Sequence, residues 1–147
     1  MNIRPVSGAL GAEVHGVNPA DSPSGNIAAA LHGALLEHKV LFFRGDVMSP
    51  QQHLQFARIF GEPDIYPFLE GLPETPEVIE ILKTEKDRVN FGGSWHSDTA
   101  YLPCPALGTV LQAGACLLDR DALSVHTLEA EAQPQELPQL ARFLRVG

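Results

Sequence analysis

His96 and Asp98 stand one residue apart in the stretch GGSWHSDTAYLPCP, residues 92–105. On an extended segment, side chains at i and i+2 share a face, so this imidazole and this carboxylate converge on one point. One nitrogen and one oxygen donor form the mixed set that suits ferrous iron. In such centres two histidines and a carboxylate hold one face of the metal and leave the rest open to substrates. The Gly92-Gly93 pair lets the backbone bend in without side-chain obstruction, and Trp95 could wall the site. An H-x-D pair alone fits two other arrangements, a hydrogen bond on a surface strand or two ligands of a zinc hydrolase. Either metal needs a further ligand that the pair does not supply.

The rest of the chain must position that pair. It has 147 residues, 44% hydrophobic and 19% charged. That predicts one globular domain able to bury a core without disulfides. The net charge of −8 argues against nucleic-acid or anionic-membrane partners. No apolar run approaches the roughly 18 residues that span a bilayer, and MNIRPVSGAL has no basic region followed by an apolar stretch. Cys104 and Cys116 are too few for a disulfide framework. Two reduced, packed thiols in a cytoplasmic protein are the expectation.

Short strands are predicted at NIRPV and AEVHGV, the first closed by Ser7-Gly8 and the second by Asn18-Pro19. Ile27, Leu31 and Leu35 fall at helical spacing, with His38-Lys39 in the last turn. VLFFRG, residues 40–45, reads as a buried strand. Ser49, Pro50 and Gln52 spell an N-cap, a first-turn proline and a capping box, and Gly61 is a natural stop. Residues 62–77 are rich in Pro and Gly and read as loop. VIEILK (78–83) and LGTVLQA (107–113) read as strands, and WHSDTAYL as extended. Beyond Ala113 the periodicity weakens and predicts no strand after Val125. His15, His32, His38 and His53 read as surface or satisfied core histidines.

Several stretches resemble, in order, the TauD/TfdA (taurine dioxygenase-like) family of Fe(II)- and 2-oxoglutarate-dependent dioxygenases. They are GAEVHGVN, LLEHKVLFFRG, MSPQQHLQFARIFGEP and NFGGSWHSDTAYLPCPALGTVL, and together they cover roughly residues 3–113. The resemblance implies an α+β, mainly β fold, a double-stranded β-helix (jelly-roll) with flanking helices. It implies His96 and Asp98 as iron ligands, with Fe(II) as cofactor and 2-oxoglutarate as co-substrate. The implied reaction is hydroxylation of a small anionic organic substrate by O2, with release of succinate and CO2. Tyr66, in GEPDIYPF, matches the place where taurine-cleaving members carry a substrate-binding histidine. A phenol can still donate a hydrogen bond to an anion, but the change turns the expectation away from taurine itself. Gly92 lies where some members carry a substrate-contacting asparagine.

The resemblance stops near residue 113. The family's G-G-D-T segment is absent, and its threonine would align near Leu123. The distal histidine and the arginine that pairs with 2-oxoglutarate have no counterparts. His126 comes too early to replace the first, and Arg142 and Arg145 read as solvated. Residues 1–113 are therefore expected to be the N-terminal part of a dioxygenase domain and 114–147 a divergent tail, truncated or frameshifted. The fold would be an incomplete double-stranded β-helix and the copy weakly active or inactive. The alternative is a non-catalytic, β-rich binding or self-associating module, with homo-oligomers open to it.

Overall fold

A computed structural model describes residues 1–84, 88, 95, 101–113 and 122–131, of which 83–84 and 122–131 are described as backbone. Two small sheets flank two helices. The first sheet has the order β1-β2-β3, from Asn2–Pro5, Ala12–His15 and Leu41–Phe43. β1 and β2 are antiparallel, whereas β2 and β3 are parallel. A parallel pair needs a crossover, which α1, Gly25–His38, provides. Gly11 leads into β2 at φ +89°, where a Cβ would come 2.9 Å from the Val6 side chain. That left-handed turn lets Gly11 N–H donate to the His38 carbonyl at 2.8 Å and Ala12 N–H to the Val40 carbonyl at 2.9 Å. The C-terminal end of the crossover is thereby tied to the start of β2.

α2 spans Pro50–Ala57. The capping box is formed in both directions: Gln52 N–H donates to the Ser49 hydroxyl at 3.2 Å, and Ser49 N–H to the Gln52 carboxamide oxygen at 2.9 Å. This satisfies two of the amide groups that a helix start leaves orphaned.

The second sheet is gathered by β7, Ala122–Glu131. One of its edges pairs with β5 (Ile79–Thr84) and then with β4 (Pro63–Asp64), and its other edge with β6 (Ala106–Ala113). All these pairings are antiparallel. Thr127 thus stands opposite Ile79 on one side and Leu111 on the other. A register shift between Ala106 and Gly108 marks a bulge in β6. Between β4 and β5 the chain makes a tight loop, with Leu72 N–H donating to Val78 O at 2.8 Å and Val78 N–H to Thr75 O at 2.9 Å. Gly71 is obligatory there, since a Cβ would lie 1.9 Å from the Pro76 carbonyl oxygen.

α2 joins the two sheets. Phe56, with Val14, Leu31, Met48 and Phe60, forms the core beneath the first sheet. Phe56 meets Phe43 and Phe60 edge-on, with ring centroids 5.2 and 5.6 Å apart, the geometry that aromatic quadrupoles favour. The other side of α2 puts Leu54 and Ala57 against Val78. Val110 of β6 packs on both clusters.

Several expectations change here. β3 is no buried strand: Phe42 is 44% exposed, and Val40 before it is exposed too. The face of this apolar strand that carries Phe42 is uncovered among the described residues. Ile27 is exposed while Leu31 and Ala34 are buried, so the contact stripe of α1 starts a turn later than its spacing suggests. Leu107–Ala113 is a strand as expected; of the segment read as extended, residues 96–100 lie outside the described residues, and 101 and 102 are helical turn and bend. β7 runs on to Glu131, past the predicted limit at Val125. Cys104 is a free thiol, and it is exposed, not packed.

Candidate functional site

His96 and Asp98 lie outside the described residues, as do Gly92, Cys116, Arg142 and Arg145. Their frame is described on both sides. Upstream, β5 delivers the chain to residue 84. Downstream, residues 101–105 turn through Pro103 and Pro105 into β6. The candidate ligand segment therefore connects two strands that both pair with β7. His126 is a β7 residue standing between Glu80 and Gln112 in the register.

Tyr66 follows β4 directly. It is half-buried, and its ring meets Phe68 edge-on at 5.3 Å. Ile65 and Phe68 beside it are exposed, so the loop carries apolar groups into solvent around one phenol. Asp64 accepts a hydrogen bond from Ile65 N–H at 2.8 Å, which sets the chain direction at the loop's start.

Among the described residues no three His, Cys, Asp or Glu side chains gather as a metal requires. By type, the sequence pair His96 and Asp98 would supply two of the three protein ligands of such an iron centre.

Two polar residues hold β6 in place: Gln112, which sequence reasoning did not single out, and His53, a satisfied core histidine as expected. Gln112 is buried, and its carboxamide makes two bonds with one residue. Met48 N–H donates to Oε1 at 2.8 Å, and Nε2 donates to the Met48 carbonyl at 3.0 Å. His53, fully buried on α2, donates from Nε2 to the Val110 carbonyl at 3.1 Å. The available signal was parity: Gln112 shares the face of Val110, an inward position where a strand this apolar has no ordinary use for an amide. His32 is likewise a satisfied histidine as expected, donating from Nδ1 to the Ile59 carbonyl at 3.2 Å and stacking on Phe60. Arg44 ends β3 in an exposed ion pair with Glu13 at 3.1 Å.

A groove of about 780 Å³ opens between β3 and β6. Phe43, Met48, Phe56 and Phe60 are among its walls, and the exposed side chains of Phe42 and Leu111 form part of its lip.

The sheets and the H-x-D segment together define a class. The family model described as "Taurine catabolism dioxygenase TauD, TfdA family" matches residues 2–114, and the chain belongs to that family. Fe(II) and 2-oxoglutarate are the cofactor and co-substrate of such dioxygenases. Among individual relatives, an alpha-ketoglutarate-dependent sulfate ester dioxygenase of Pseudomonas putida is 30% identical over 146 residues, 98% of this chain and 46% of its own. An alkylsulfatase of Acinetobacter baylyi is 34% identical over 108 residues, 69% of this chain and 32% of its own. A solved taurine dioxygenase from Burkholderia xenovorans superposes with a TM-score of 0.62 at 29% identity, over 76% of this chain and 40% of that one. The chain thus spans a third to just under half the length of the curated relatives it matches.

Proposed function

We propose that this chain carries the first two iron ligands, His96 and Asp98, of an Fe(II)- and 2-oxoglutarate-dependent dioxygenase acting on a small anionic organic substrate. The family match across residues 2–114, which contains the H-x-D pair, is the observation that carries this reading. The reading favours an organic sulfate ester, as in the names of two relatives, over an aryloxy acid such as the phenoxypropionate named for two others. The two sheets are read as part of a double-stranded β-helix, and the polypeptide by itself as weakly active or inactive. A cytoplasmic setting is part of this reading, from the sparse cysteine usage of the sequence.

In this reading the imidazole of His96 and the carboxylate of Asp98 would be two ligands of the metal. Fe(II) held there would let O2 act as the oxidant for hydroxylation, with 2-oxoglutarate as the co-substrate that is converted to succinate and CO2. Tyr66 donates a phenolic hydrogen bond to the anionic end of the substrate. The exposed apolar side chains beside it, Ile65 and Phe68, offer contacts to the substrate's carbon skeleton.

The test uses the full chain, Co(II) as a spectroscopic stand-in for Fe(II), and succinate release with a short alkyl sulfate. Co(II) binding that disappears in His96→Ala is expected, with little succinate. Binding left unchanged by His96→Ala would sink the metal role.

One observation favours a second reading. The exposed apolar lip of the groove, with Phe42 and Leu111, suits a self-associating module without catalysis. A sedimentation profile that shifts with concentration, in protein that binds no Co(II), would select it.

A further inference from the structure

We infer that the groove between β3 and β6 is a docking seat for a second polypeptide, one carrying the part of the family chain that this chain does not span. That polypeptide adds a strand to the free edge of β3. The inference rests on the family membership and not on the metal site.

Exposed apolar side chains gather at this groove. Leu10, Val40, Phe42, Val47 and Leu111 are all exposed, and all of them line it. They come from both sheets and from the loops beside them. Deeper in, the groove reaches Phe43, Phe56 and Phe60, which pack in the core of the first sheet. The core thus continues to the open surface and does not end beneath a polar rim. An apolar surface of this kind marks an interaction site. Its far wall has room as well, since a Cβ at Gly108 would meet nothing within 4 Å.

The backbone says what form the occupant takes. β3 is the last strand of its sheet. The Val40 carbonyl accepts from Ala12 N–H at 2.9 Å. By alternation Phe42 also turns its backbone groups to β2, and those of Leu41 and Phe43 point away from it. Leu41 and Phe43 both line the groove, and among the described residues no strand pairs with that edge. A row of free donors and acceptors beside an apolar wall is the seat that an extended segment takes when it adds to a sheet. The occupant therefore brings a strand whose side chains at every second position are apolar and turn toward Phe56 and Phe60.

The relatives say where such a strand comes from. This chain spans 46% of the sulfate ester dioxygenase, so 100 − 46 = 54% of that protein has no counterpart here. The solved taurine dioxygenase superposes over 40% of its length, which leaves 100 − 40 = 60%. A domain packs its layers around one core, so this remainder must cover some face of the matched part. The groove is a face that the described residues leave apolar and open. A second copy of this chain would set one concave face against another and leave the groove unfilled.

The test is co-expression of the tagged full chain with the part of the Pseudomonas putida relative that it does not span, followed by capture and sedimentation. Capture of the same probe by the relative's own matched part shows that the probe is competent. A one-to-one complex with this chain is expected. Phe42→Asp and Leu111→Asp place a charge on each wall and should each lower capture on the order of tenfold, the scale of a lost interface anchor. Both positions are exposed, so the melting temperature of the chain alone should stay near the wild-type value. Ile27→Asp, exposed on α1 and outside the groove, should leave capture unchanged. No complex with a probe that its own matched part does capture overturns the inference. A dimer of this chain in place of the mixed complex overturns it in favour of a second copy. So does a complex that survives both aspartate variants in the groove, or one that Ile27→Asp weakens equally. Metal binding is not read in this test, so the iron-site reading stands or falls separately.

Discussion

The first sheet closes within residues 2–43, by one tight antiparallel pair and one helical crossover. The second draws strands from residues 63 to 131 onto a single central strand. In the first, each strand is placed by its neighbour in sequence. In the second, β4, β5 and β6 are each placed by β7, and β5 and β6 do not pair with each other. The two sheets share α2, whose Phe56 faces one and whose Leu54 and Ala57 face the other. Local order makes the first sheet readable and self-sufficient. The second depends on contacts far apart in the chain, and the candidate metal segment hangs from it.

The largest effect should come from the shared helix. Phe56→Ala removes a ring packed between Phe43 and Phe60 and should cost about 3–5 kcal/mol by urea unfolding. If the sheets form one cooperative unit, fluorescence and far-UV circular dichroism will report a single shifted midpoint. Two separate midpoints would break the picture of α2 as the joint. Next is Gly71→Ala, which drives a methyl group into the Pro76 carbonyl. It should cost about 1–3 kcal/mol, and hydrogen exchange should rise first in β5 and leave β1 and β2 protected. Exchange rising equally in both sheets would show that the second has no separate weakness.

Ser49→Ala deletes one half of the capping box and should cost about 1 kcal/mol, read as a lowered melting temperature without change in the unfolding slope. The smallest effect belongs to Arg44→Ala on the rim of the first sheet. Arg44 is 80% exposed, so its pair with Glu13 is worth well under 1 kcal/mol, and a shift of several degrees in melting temperature would contradict that.

The same contrast explains what could be read in advance. Ser49, Pro50 and Gln52 announce α2 because a helix start is satisfied by residues three apart. Ser7-Gly8 and Asn18-Pro19, with the short runs they bound, mark β1 and β2 for a similar local reason. β7 escapes past Val125 because LEAE, residues 128–131, has the composition of a helix. It is a strand because β4 and β6 wait on either side, and strand preference follows such neighbours more than the residue. Phe42 misleads in the opposite direction: VLFF looks buried, yet nothing in the described residues covers its outer face. At the site, the H-x-D spacing is legible because two adjacent positions carry it. Gln112 is not, since its partner Met48 lies 64 residues away.

The central place of β7 also sets a timetable. Pro63 and Ala130 pair across 130 − 63 = 67 residues, and of the described strands β7 is the last to be synthesised. Until it emerges, three earlier strands have no edge to join, whereas the first sheet can close as soon as residue 43 is free. Contacts of such separation form slowly, and unpaired strands in a half-made chain attract one another between molecules. Yield in a cell should therefore turn on the pace of translation through codons 84–131 and on the chaperones waiting there.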